Sequence, residues 1–388
     1  MKQIFLTIIF CCVLIGTVHA YTIQYGNWTQ AGPVPPIGPR AFYGSAVFHD
    51  QIFVIGGENP TDLQVLYNDV WSTSDGRNWT ELTANATFSP RRYPQVAAFK
   101  NKLWVISGID ANSRQNDVWS SSDGRNWSLV TAQAGFSPRY DPVVVVFDNK
   151  LWVIAGVDDR YNLVNDVWSS SDGSNWTLIT DNAGFSRSTD FYLSGAVFNN
   201  HIFIIDVAVS KESFGTNEIW SSSDGKHWAL VNGNAPFRTM GYIPVTVFND
   251  RLWIVGGGND PWVQQTKYMD PEKYFYFNSV WSSVDGNNWT LETEHAGFSP
   301  RYGMGVVTFQ NKIWVLGGIP FADDVWYMPL LIPQTSPIDV IPPALPSTSN
   351  YPVVSGNSAR AAMDPFSPLL SLVIVAGICA YCSRAGKR

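Results

Sequence analysis

Between Asn116 and Trp127 the chain reads NDVWSSSDGRNW, and near-copies of this stretch recur through most of the sequence. Serine hydroxyls next to an aspartate could form a polar binding loop or an acid–base pair. The repetition argues against one active site. Asp-Gly between short strands favours a tight turn because both residues tolerate positive φ, and the flanking tryptophans supply stacking surface. We therefore assign these copies to the scaffold, with Trp71, Trp119, Trp168, Trp220, Trp281 and Trp326 marking their phase.

Two further sets of charged residues follow the same period. Arginine recurs at Arg40, Arg91, Arg139, Arg187, Arg238 and Arg301, and an acid recurs before the tryptophan at Asp69, Asp117, Asp166, Glu218 and Asp324. A ring of arginine–acid pairs tying successive units together would account for both sets without any ligand.

Departures from the repeat point more directly to function, because scaffold demands do not explain them. Asp206-Val207 stands where the other units carry a pair of small residues, which puts a carboxylate in a crowded strand. A buried carboxylate is costly unless it has a partner or a task. In the fifth unit a loop swells to GNDPWVQQTKYMDPEKYFYFN, residues 258–278. Aromatic loops of this kind stack on sugars or grip proteins. The candidate ligand contacts are therefore Asp206, Trp262, Tyr268, Tyr274 and Tyr276, with Arg187 and Arg238 beside them. An enzymatic alternative needs a proton donor and acceptor, for which Asp206, Glu58, Asp110 and Asp158 are available. The sequence assigns no catalytic residue, no cofactor and no metal site; His49, His201, His227 and His295 are scattered through the repeat.

The elements that must position these residues follow from hydrophobic patterning. Each unit carries an apolar run closing on small residues, at 52–57, 103–108, 151–156, 202–207, 252–257 and 313–318. A second apolar run precedes it, ending near Phe48, Phe99, Phe147, Phe198, Phe248 or Phe309. Each unit reads as four short strands, a to d, with strands a and b buried on both faces. The second tryptophan, at Trp79, Trp127, Trp176, Trp228 and Trp289, marks strand d. The sixth unit stops after Trp326 without a strand d, and Gly26-Asn27-Trp28-Thr29 matches the missing piece. The expectation is an all-β, six-bladed propeller of four-stranded blades, closed by an N-terminal strand that completes the last blade.

The arginine start, the Gly-Gly after strand b, the Asn-Asp-Val-Trp and the spaced second tryptophan together resemble kelch repeats of the galactose-oxidase type. The resemblance covers roughly residues 26–330. It implies that the d–a and b–c loops share one face, which in kelch proteins usually binds the ligand. Ser-x-Asp-Gly-x-x-Trp is also similar to the Asp box of sialidase-type propellers, one residue short, and that box is a structural turn. Galactose-oxidase chemistry needs a tyrosine–cysteine cross-link, and every cysteine here (Cys11, Cys12, Cys379, Cys382) lies in a terminal apolar segment. A sugar epimerase or sialidase is the nearest enzymatic analogue, and an architectural envelope role is a third option.

Residues 1–20 read as a secretory signal peptide, with Lys2 ahead of an apolar core and Val18-His19-Ala20 as cleavage site. Residues 332–365 form a linker with seven prolines, and 366–382 an apolar run of 17 residues before the basic tail 383–388. An extended linker of this length reaches roughly 100 Å at about 3.1 Å per residue. Seventeen residues can just span a bilayer, or serve as a processed anchor signal, and the basic tail sets the cytoplasmic side. The expected organisation is therefore a cell-surface propeller at 21–331, outside the membrane. Setting aside Lys2, Arg384, Lys387 and Arg388 takes the net charge from −7 to −11 for residues 21–383, which argues against nucleic acid as a partner. Glycosylation sequons lie at Asn27, Asn78, Asn85, Asn126, Asn175 and Asn288. The expected partner is a glycan or surface protein.

Overall fold

The computed structural model describes residues 24–32, 36–185, 193–207, 217–237, 241–258, 276–320 and 322–331. The expected leader, linker, apolar segment and basic tail lie outside the described residues, as do Arg187, Arg238, Trp262, Tyr268 and Tyr274. Every regular element among the described residues is a β-strand, and none of them forms a helix long and apolar enough to cross a membrane.

The first repeat shows the plan. Strands a (Gly44–Phe48), b (Gln51–Asn59), c (Asp62–Thr73) and d (Thr80–Thr83) pair antiparallel in chain order. The fourth and fifth repeats begin with strands a at Leu193–Phe198 and Val245–Val247 and make equivalent four-stranded sheets. In the second and third repeats, whose strands b are Lys102–Asp110 and Lys150–Asp158, the short strand Arg139–Tyr140 pairs with both repeats and merges the two sheets into one, while Arg91–Arg92 adds to the edge of the second. The a–b turns carry two residues in the left-handed region, such as His49-Asp50 and Asp148-Asn149. This is the geometry whose twist matches that of the flanking strands.

Strand b is buried throughout, as expected, but strand a is not. Val143–Phe147 alternates buried and half-buried positions, so only one of its faces enters a core. The other set turns inward, where strands a of successive repeats touch one another in cyclic order and the sixth returns to the first. Strand a thus lines a central channel.

The cores lie between repeats. Val145 and Trp152 of the third pack with Ile202 and Ile204 of the fourth, and Phe309 and Trp314 of the sixth pack with Ile52 and Val54 of the first. No repeat could bury both faces of its sheet alone. The N-terminal segment supplies the missing outer strand: Gln24–Tyr25 and Thr29–Gln30 both pair with Ala322–Leu331.

Each letter of the repeated stretch has a structural task. The Asn116 side chain donates to the carbonyls of Ala134 and Phe136, clamping the connection to the next repeat. In the turn, Asp123 accepts from the Arg125 and Asn126 backbone N–H groups and from Asn126 Nδ2, while Ser121 Oγ accepts from Gly124 N–H. This network is larger than the tight turn that the sequence suggests. The glycine then lies flat on an aromatic ring of the preceding repeat. A Cβ at Gly173 would sit 2.1 Å from the Trp104 ring, and its φ is +75°. The sixth repeat has no such turn, and there Tyr25 stacks edge-on against Trp253 at 4.7 Å.

Candidate functional site

Strand b ends at the same side of the ring as the d–a connections, which pair with it directly. Ala41 bridges Glu58, Tyr242 bridges Gly258 and Tyr302 bridges Ile319, and Tyr140 pairs with Val157. The repeat arginine immediately precedes this bridging residue. Arg40, Arg91 and Arg139 are buried and bind Asp69, Asp117 and Asp166 through both guanidinium nitrogens, at 2.6–2.9 Å. Arg301 binds Asp324 in the same way. The tryptophan two residues on shares the acid: Trp71, Trp119, Trp168 and Trp326 each donate Nε1 to it at 2.7 Å.

These pairs do not tie repeats together. Both partners belong to one repeat, and the bond fixes the incoming connection to strand c. Between repeats the mouth is joined by a different ion pair, Arg92 to Glu58 at 2.9 Å, with Glu58 only 3% exposed. Burial would lower the Arg92 pKa, but Glu58 outweighs it and raises it.

The triad fails where the sequence departs from its period. In the fifth repeat Ser279 replaces the acid, Gly241 takes the place before the bridging Tyr242, and Trp281 Nε1 has no hydrogen bond among the described residues. In the fourth, Trp220 donates to Glu218 at 2.9 Å. There strand b lacks the bulge at its end: Asp206 pairs directly with Glu218, whereas Gly56, Ser107, Ala155, Gly256 and Gly317 adopt positive φ at the equivalent place. Asp206 is 1% exposed and has an interaction partner. It sits inside the sheet and does not line the cavity at the mouth.

That cavity lies among residues of the d–a connections. In four repeats the residue after the bridge adopts positive φ: Phe42, Tyr93 and Asp141 at 52–57° and Gly303 at 64°. Phe42 contacts Tyr93 and Tyr242 with ring centroids 4.5 and 4.8 Å apart. Tyr242 donates its hydroxyl to that of Tyr93 at 2.6 Å. Tyr276 extends the cluster by stacking on Tyr302 at 5.3 Å. Of the expected ligand contacts, it alone is both described and at the mouth. Tyr43 is committed to the scaffold, bonded to Leu316 O and Gly305 N of the sixth repeat.

Beneath these rings is a cavity of about 140 Å³, lined also by Gln95, Ser194 and Asp141. Asp141 keeps part of its surface open to the cavity, while protein packs around it elsewhere. Burial raises its pKa from 3.8 to about 7. Desolvation of a carboxylate acts in this direction when no cation or donor offsets it. Sequence reading missed Asp141. The signal was available in the comparison of Arg139-Tyr140-Asp141 with Arg301-Tyr302-Gly303 and Arg91-Arg92-Tyr93.

The other proposed proton carriers hold loops in place. Asp110 accepts from Asn112 N–H, Ser113 N–H and Gln115 Nε2. Asp158 accepts from Arg160 and Asn162. Both pKa values are lowered, because these hydrogen bonds outweigh burial, which would raise them. Outside the cavity, Arg114 is stacked between Tyr140 and Tyr161, at 5.1 and 4.2 Å, and Tyr161 is 68% exposed. Among the described residues no three His, Cys, Asp or Glu side chains form a group that could hold a metal.

Residues 14–206 match the family model of the KLHDC2/KLHL20/DRC7 kelch-repeats domain. The chain carries a kelch-repeat domain. A solved structure described as "Structure of YjhT" is 15% identical, with a TM-score of 0.60, covering 76% of this chain and 95% of that one. At that identity the likeness concerns the fold, a kelch β-propeller of four-stranded antiparallel sheets. No curated protein matches the sequence.

Proposed function

We propose that this kelch domain is a six-bladed binding module, exported and tethered at a cell surface, that takes a surface glycan or surface protein at the mouth formed by the d–a and b–c loops. The observation that carries the reading is Asp141, a carboxyl group without a hydrogen bond or ion pair among the described residues, facing a cavity walled by aromatic rings. The carboxylates of the repeated turns and of the arginine–acid pairs are all hydrogen-bonded, so a carboxyl held at a cost to stability is best explained by a ligand. Exposed Tyr161 on its Arg114 support offers a stacking platform nearby. The enlarged fifth-repeat loop, with Trp262, Tyr268 and Tyr274, belongs to the same loop set in this proposal.

One observation favours a second reading. A carboxyl with its pKa near 7 is poised for general acid–base catalysis, so a sugar-acting enzyme would use Asp141 rather than Asp206 as proton carrier. Full-length protein can be screened against glycans and surface extracts, beside Tyr161→Ala and a version lacking residues 260–275. Binding that is lost in the variants supports the module. Equal binding by all three removes the loops from the account, and turnover of a sugar that disappears in Asp141→Asn decides for the enzyme. Sequencing of the mature N-terminus tests export, with Tyr21 expected first.

A further inference from the structure

The charge around the cavity narrows the choice of ligand. Of the described residues lining it, none is basic: Phe42, Tyr93 and Tyr242 present rings, Gln95 and Ser194 are neutral, and Asp141 is the carboxyl. Two arginines approach the cluster, and each faces another carboxylate. Arg92 is bonded to Glu58, and Arg114, stacked between Tyr140 and Tyr161, lies 3.9 Å from Asp159. The ionised form of Asp141 therefore lacks a counter-charge that the described protein could supply.

We infer that the cavity takes the head of an organic cation, an alkylammonium or quaternary ammonium group, with Asp141 as its counter-ion and Phe42, Tyr93 and Tyr242 as its aromatic wall. Ring faces attract such cations, most strongly where water is excluded, and a desolvated carboxylate gains most from a partner that needs little hydration. Size agrees. The volume of about 140 Å³ is close to the roughly 150 Å³ of a cavity that accepts benzene. A head group of comparable bulk therefore fits. A bare calcium or magnesium ion is a poorer match, since it demands several oxygen ligands, and an anion would meet the carboxylate.

Asp141 shares the cavity lining with the Tyr43, Tyr93 and Tyr242 phenols, and Arg114 stacks on the adjacent Tyr140. Burial raises the Asp141 carboxyl to about 7, and it moves the Tyr43 and Tyr140 phenols further above their usual range. Cation binding should therefore release protons at pH 7, as the carboxyl is driven to its ionised form.

The inference rests on the reading that this mouth is the binding face, and its test separates the two. Full-length protein is titrated calorimetrically at pH 7 with choline, with its uncharged isostere 3,3-dimethyl-1-butanol, and with Nα-acetyl-lysine methylamide. The expected result is that a cation binds at least tenfold more tightly than the isostere, with proton release seen as a buffer-dependent heat. Asp141→Asn should reduce that binding to the level of the isostere. Preference for choline assigns the site to a quaternary head group, and preference for the lysine derivative to a protein side chain. Equal binding of choline and isostere, unchanged binding by Asp141→Asn, or no binding by either cation overturns the inference. If the cations fail while surface extract still binds through Tyr161, the inference falls and the binding face stands. If cations bind and extract does not, the inference stands, and what falls is the surface glycan or protein as the ligand of this mouth.

Discussion

At the scale of single residues, Asp141 makes the sharpest statement. Its pKa is raised from 3.8 to about 7 by burial, so the folded state holds a proton that the unfolded chain gives up above pH 4. The native state binds more protons in that window, and stability therefore falls as pH rises from 4 to 7. Asp141→Asn keeps the shape and removes the titration. We expect the variant to match the parent at pH 4 and to exceed it by about 1–4 kcal/mol at pH 8, measured by denaturant unfolding at both pH values. The sequons divide on equally local grounds. Asn78, Asn126, Asn175 and Asn288 donate Nδ2 to Asp75, Asp123, Asp172 and Asp285 at 2.7–2.9 Å. A glycan there would cost the turn one of its bonds. Asn85 is exposed, and its amide side chain has no such bond among the described residues. In a host that glycosylates, glycopeptide mass spectrometry should find Asn85 more occupied than those four; uniform occupancy would show that the turn bond is irrelevant.

At the scale of the element, the repeated turn is a spacer that sets how closely neighbouring sheets approach. Gly173 and Gly184 separate the two contributions, since both have positive φ, +75° and +83°, but only Gly173 faces the Trp104 ring. Gly184→Ala should cost about 1–2 kcal/mol from backbone strain alone. Gly173→Ala should cost a further 1–3 kcal/mol because the ring must move, and equal losses would refute the spacer role. The arginine–acid pair belongs to this scale as well. Breaking one by Asp117→Ala leaves Arg91 buried and unpaired, for a loss of about 3–5 kcal/mol in thermal or denaturant unfolding. Much of this was legible in the sequence, because identical demands in each repeat produce identical residues. Strand order, the loop face and the arginine–acid pairing all follow from period alone. Whether the pairing runs within or between repeats does not, since it depends on how the connection turns back on strand c.

For the molecule as a whole, closure and function obey opposite rules. Closure depends on residues that agree: cores between every pair of neighbours and an N-terminal segment that fills the last outer strand. A chain shortened to begin at residue 31 loses Gln24–Gln30 and the Tyr25 contact to Trp253. Hydrogen exchange should then rise first along Ala322–Leu331, and unchanged protection there would remove the segment from the closure. In the proposed reading function rests on residues that disagree. The sequence directs attention to the d–a and b–c loops and to Asp206, which the structure places in the pairing of strands b and c, away from the cavity lining. Asp141 looked ordinary until the fold showed that its place is held by Phe42, Tyr93 and Gly303 in the first, second and sixth repeats and by Ile243 in the fifth. The most direct test of the account compares full-length protein carrying Asp141→Asn and Tyr161→Ala with a rim variant, Leu129→Ser with Leu178→Ser and Leu230→Ser. The three leucines are 45–49% exposed and lie on the outer strands. Binding to surface extract should be lost in the mouth variant and kept in the rim variant; loss only in the rim variant would place the working surface on the outer strands and contradict the account.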